Sequence, residues 1–131
     1  GMMQTVAGTN VAGSSNDGTR PLSARFRFPW GIALGADPRT VFVTDSRNAA
    51  LLRVDLAMNT VVRIAGDDMA ITDGDGGDAL AAEVDEPREI IAVDGAGTLL
   101  FAESQRERLR SLDIQNRIID TCVESYALNA S

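Results

Sequence analysis

Three carboxylates crowd one glycine loop, Asp73-Gly-Asp75-Gly-Gly-Asp78. Hard oxygen donors on a flexible turn are the chemistry of Ca²⁺ coordination, so Asp73, Asp75 and Asp78 are the candidate metal ligands. The loop is not an EF-hand: its sixth position is Asp78 where Gly is required, and its twelfth is Val84 where Glu is required. The Asp-Gly pair recurs as Asp17-Gly18 without an acidic cluster around it, which makes the shared dipeptide turn chemistry. A second polar group also occurs twice. Asp45-Ser46-Arg47-Asn48 and Glu103-Ser104-Gln105-Arg106 each follow an apolar run, where such side chains either satisfy the backbone of a turn or contact a ligand. Trp30 and Arg88-Glu89 follow Pro29 and Pro87. Exposed Trp is enriched at interaction hot spots; packing between neighbouring units is its other use.

Composition removes several chemistries. His is absent, which excludes His-based acid–base catalysis, Ser-His-Asp triads and the commonest transition-metal ligand. Cys122 is the single cysteine, so no intrachain disulfide forms, and among Ile118, Ile119 and Val123 it reads as a buried, inert thiol. The formal charge is −7 with no Lys/Arg run, against the concentrated basic footprint that a nucleic acid requires. No apolar run approaches the roughly 18 residues of a membrane-spanning helix. Hydrophobic content of 44% is normal for a folded domain, and aromatics at 5% leave the core to Val, Ile, Leu and Ala.

The elements that position these residues come from a repeat. Gly8 and Gly66, Pro29 and Pro87, and Asp55 and Asp113 are each 58 positions apart, and no gap is needed from Asp17 to Met58. Self-similarity at such a period marks stacked supersecondary units. Each unit contains four short apolar runs. The first has 31–34, 41–44, 51–56 and 60–65; the second has 90–93, 99–102, 109–114 and 118–123. Turn residues separate them, and connections this short force neighbouring strands to pair antiparallel. A short helical turn precedes each set: Pro21 and Leu22 in one copy, and 78–84 in the other with Asp78 as N-cap. Residues 4–7 read as a further strand. Far-UV circular dichroism should therefore be β-dominated, with helix confined to a few turns; a helix-dominated spectrum would contradict the meanders.

The ordered string resembles the NHL-repeat β-propeller family. The matching residues are Val6-Ala7-Gly8, Asp17-Gly18, Ala24 to Leu34 with its Phe26, Pro29 and Gly31-Ile32-Ala33, Thr44-Asp45, Asn48, Arg53-Val54-Asp55 and Ile64-Ala65-Gly66. The second copy departs at Glu89, Glu103 and Arg106, which stand where Gly, Asp and Asn are expected. The resemblance implies an all-β fold of two four-stranded antiparallel blades, 29–66 and 87–123, with 4–8 as the outer strand of a preceding blade. It implies a binding face made by the loops, and hence a non-enzymatic scaffold for a protein or peptide. Contact candidates on that face are Trp30, Asp45, Arg47, Asn48, Arg88, Glu89, Glu103 and Arg106. The alternative is a Ca²⁺- or Mn²⁺-dependent hydrolase or lactonase using Glu89, Asp45 and Glu103. No cofactor is expected beyond a Ca²⁺ ion. Two blades would leave apolar faces bare, so the chain is expected to self-associate or to be part of a longer propeller.

Overall fold

The computed structural model describes residues 1–95 and 97–122. The fold is all-β, and the described residues contain helix only as single 3₁₀ turns, among them Pro21–Ser23 and Ala79–Ala81. The first sheet is β1 (Pro29–Leu34), β2 (Thr40–Asp45), β3 (Ala50–Asp55) and β4 (Thr60–Ala65), paired in that order. After the two-residue β5 (Gly77–Asp78) come β6 (Pro87–Val93), β7 (Thr98–Glu103), β8 (Arg108–Asp113) and β9 (Ile118–Thr121). The second sheet runs β5-β9-β8-β7-β6. All pairings are antiparallel.

The repeat is written into the backbone. Phe28 and Glu86, Ala49 and Glu107, and Asn59 and Arg117 all adopt positive φ at equivalent positions. Each marks the same bend before β1/β6, after β2/β7 or after β3/β8. Hydrogen bonds repeat too: Gly8 N donates to Pro21 O as Gly66 N does to Ala79 O, and Gly18 N to Val61 O as Gly76 N does to Ile119 O. As expected, Asp78 caps its turn by accepting from Leu80 N at 3.0 Å.

One apolar layer joins the sheets. Phe42, Leu51 and Ile64 meet Leu99, Phe101, Leu112 and Ile119, with Ala79, Ala82 and Val84 of the connecting segment closing one side. Burying each large side chain contributes about 1.5–3 kcal/mol. The sheets come closest where β1 faces β6. A Cβ on Gly31 would overlap the Arg88 carbonyl oxygen and lie 3.0 Å from Ile90 N. Thr44 Oγ1 sits in the same contact, receiving Gly31 N at 2.7 Å and donating to Arg88 O at 2.5 Å. Ser46 Oγ donates to Pro87 O. Hydroxyls of the first sheet thus hold main-chain carbonyls of the second. The opposite face of the first sheet is covered only in part, by Ala7, Ala24 and Phe26 against Val54 and Val61.

Residues 4–7, expected as the outer strand of a preceding blade, join neither of the two sheets; they enter the loop that Gly8 ties to Pro21. Ile32 is 70% exposed whereas its counterpart Ile90 packs against the core, because nothing among the described residues covers that side of β1. Val123, expected to end the last strand, lies outside the described residues.

Gly31→Ala should force the sheets apart and cost about 1–3 kcal/mol, as overpacking of a filled contact does. Urea denaturation should show that loss, while Glu89→Ala at the repeat-equivalent exposed position should stay within about 0.5 kcal/mol.

Candidate functional site

The acidic loop is held by arginines. Arg110 is fully buried. Its Nη1 donates to Glu83 O at 2.8 Å and Glu103 Oε1 at 3.2 Å, and its Nη2 to Asp73 O at 2.6 Å and Asp75 Oδ1 at 2.7 Å. Arg108 forks onto both oxygens of Asp73 at 2.9 and 3.0 Å and also reaches Glu103. Thr121 Oγ1 donates to Asp75 Oδ2 at 2.6 Å. Asp78 is spent on its cap. The three carboxylates expected to converge on Ca²⁺ are therefore turned to guanidinium, hydroxyl and backbone partners. Among the described residues no three His, Cys, Asp or Glu side chains are grouped to hold a metal ion. That includes Asp45, Glu89 and Glu103, which are not brought together. Arg108's hydrogen bond holds the Asp73 carboxyl below the ordinary value of 3.8, against the opposing effect of burial.

The repeat-equivalent site in the first sheet has the same skeleton with different contents. Buried Asp45 accepts Arg27 N on Oδ1 and Asn48 Nδ2 on Oδ2, both at 2.6 Å. Glu103 likewise accepts Asp85 N, at 3.3 Å. Burial raises the Asp45 pKa, with the bonds from Asn48 and Arg27 offsetting part of the effect. Asn48 also donates to Gly13 O at 2.8 Å, fastening the glycine-rich loop to the sheet. In the second sheet Arg106 stands at that position and pairs with Asp85 at 2.6 Å and Glu83 at 3.2 Å. Asp45, Asn48, Glu103 and Arg106 are thus all engaged in closing their own units. Beside Asp45 is a cleft of about 750 Å³ lined by Asp17, Asp45, Ala50, Leu52 and several arginines.

The remaining candidates are exposed at the same end. Trp30 is 50% exposed, and the Arg88 guanidinium lies over its ring at 4.6 Å from the centroid. Arg47 lies likewise over Phe28 at 4.7 Å. Arg88 also approaches Glu86 at 3.8 Å, and Glu89 is exposed. Phe28 escaped attention in the sequence, although the repeat pairs it with Glu86 and pairs Arg47 with Gln105, which donates to Glu86 at 3.2 Å. Arg108 and Arg110 were not singled out in the sequence; the available signal was that they stand where the first copy has Ala50 and Leu52. Half-buried Cys122 is held in its thiol form by burial.

No protein-family model and no curated protein matches the chain. Among solved structures it is similar to a structural genomics protein of unknown function from Bacteroides thetaiotaomicron, at 25% identity and a TM-score of 0.69. The match covers 81% of this chain and spans 26% of that one. The fold and the comparison together define an all-β repeat protein.

Because Asp73 has a lowered folded pKa, its contribution to stability is complete above about pH 4 and is lost as pH falls through the folded value. Asp73→Asn should accordingly be less stable than the parent at about pH 6, with the difference closing as pH falls through the lowered folded value of the Asp73 carboxyl. Denaturant midpoints measured across that range check it; a gap that widens with acid would contradict the sign.

Proposed function

We propose that the chain forms part of an NHL-type β-propeller and serves as a non-enzymatic scaffold that receives a protein or peptide segment on its loop end. The observation that carries this is the Trp30–Arg88 stack, half-exposed and built from equivalent positions of the two units. A stacked indole and guanidinium offers a flat apolar surface with a fixed positive charge, the combination found at binding hot spots. Arg47 over Phe28 supplies a second such pair, and the two units carry these groups beside their closing turns. The repeated four-stranded units and their 58-residue step support the propeller assignment. The incompletely covered face of the first sheet, with Ile32 and Leu34 exposed, supports contact with further chain, either of a longer array or of another copy.

Selection of displayed peptides against the chain, followed by calorimetric titration, tests the scaffold role. Trp30→Ala should weaken a selected peptide by at least about 2 kcal/mol, the scale of a hot-spot truncation, with Arg88→Ala acting in the same direction. Retention of no peptide, or binding indifferent to both substitutions, would overturn it.

A further inference from the structure

The two units solve one local problem differently. In the second, guanidinium groups fill the space between the strand-end carboxylate Glu103 and the loop carboxylate Asp75: Arg110 bonds both, at 3.2 and 2.7 Å, and Arg108 adds a further contact to Glu103. In the first unit the carboxylates are kept, as Asp45 and Asp17, while the arginines are replaced by Ala50 and Leu52. All four of these residues line the open cleft of about 750 Å³.

We propose that this cleft binds an arginine side chain from a partner polypeptide, whose guanidinium takes up between Asp45 and Asp17 the place that Arg110 occupies between Glu103 and Asp75. The proposal rests on the scaffold role above and names the ligand chemistry and the site. Asp45 is buried and forms no salt bridge among the described residues, the Arg27 guanidinium acting on it only from a longer distance. Its two oxygens accept one hydrogen bond each, and a carboxylate has about four lone-pair sites, so acceptor capacity remains. Glu103 shows the completed state: the backbone bond from residue 85 persists while guanidinium groups take the other acceptor sites. Ala50 and Leu52 leave the room that Arg108 and Arg110 fill in the other unit.

The cleft's other charges narrow the ligand. Arg25, Arg27, Arg47 and Arg63 also line it. Arg63 Nη1 is spent on Gly66 O and Arg47 is held over Phe28, whereas Arg25 forms no ion pair among the described residues and Arg27 acts on Asp45 through space without a salt bridge. Asp67 and Asp68 bring the lining to equal numbers of acids and bases. A basic tract would meet like charge there, whereas a single arginine flanked by acidic residues satisfies both sets. A planar fork matches paired acceptors where a lysine ammonium does not.

The test is calorimetric titration of the chain with arginine amide and with acetyl-Glu-Ala-Arg-Ala-Glu-amide. Versions carrying citrulline or lysine in place of arginine are the controls. The arginine peptide should bind with one site, and the citrulline peptide at least about tenfold more weakly, because loss of the charge weakens each hydrogen bond. Leu52→Arg should supply the guanidinium internally and abolish binding while preserving the β-sheet spectrum. Asp17→Asn, in an exposed loop, provides a second variant and should also weaken binding by about tenfold. Equal affinity for arginine and citrulline, or arginine binding that survives both variants, overturns the guanidinium site. Selected peptides that lack arginine and still bind Leu52→Arg overturn it while leaving the scaffold role standing. Failure of every selected peptide while arginine amide still binds does the reverse.

Discussion

Two small sheets share a single apolar layer here, and they do so through main-chain contact between their first strands. With no side chain on Gly31, the Arg88 carbonyl can lie against the backbone of β1. Thr44 and Ser46 then satisfy the carbonyls that this proximity takes from water. A buried carbonyl without a partner costs roughly 1–3 kcal/mol, so the hydroxyls are as necessary as the missing side chain. Once the strands are fixed at that distance, Phe42 and Leu51 meet Phe101 and Leu112 in register. The turn-flanking residues then fall at one end of the pair.

A second constraint acts within the second unit. Arg110 is buried with its charge, and desolvating a guanidinium is compensated only when partners converge on it. Two carboxylates and two carbonyls do so. The loop residues Asp73 and Asp75 serve as counter-ions to the sheet, and the loop cannot move without stranding the cation. The first unit fastens its loop differently, through neutral bonds from Asn48 to Gly13 and from Arg25 N to Ser15. Equivalent backbones are therefore held by an ionic lock in one unit and by amide and hydroxyl bonds in the other.

Much of the architecture was legible because its signals are local. Alternating apolar runs and turn residues set the strands, and the 58-residue step located the same elements twice. Asp78 as a cap followed from its place before Ala79-Leu80. What was not legible lies across space. Ile32 and Ile90 are identical residues at equivalent positions, yet a sheet stands before only one of them. Asp73-Gly-Asp75 looks like a cation loop in isolation, and its cations prove to be arginines more than thirty residues away on β8. Residues 4–7 resemble the end of β4 and pair with neither sheet.

The contact at Gly31 also gives the stack a direction. Its counterpart on the far side of the second sheet is Glu89, while Thr44 is matched by Ala102 and Val62 by Asp120. A third unit approaching as closely as the second approaches the first would press its backbone into a carboxylate-bearing side chain. It would also find no hydroxyl to receive its carbonyl and an acid in place of a valine. The outward surface of the second sheet is thus chemically distinct from the joint between the two sheets, and a further unit would have to meet it through other contacts.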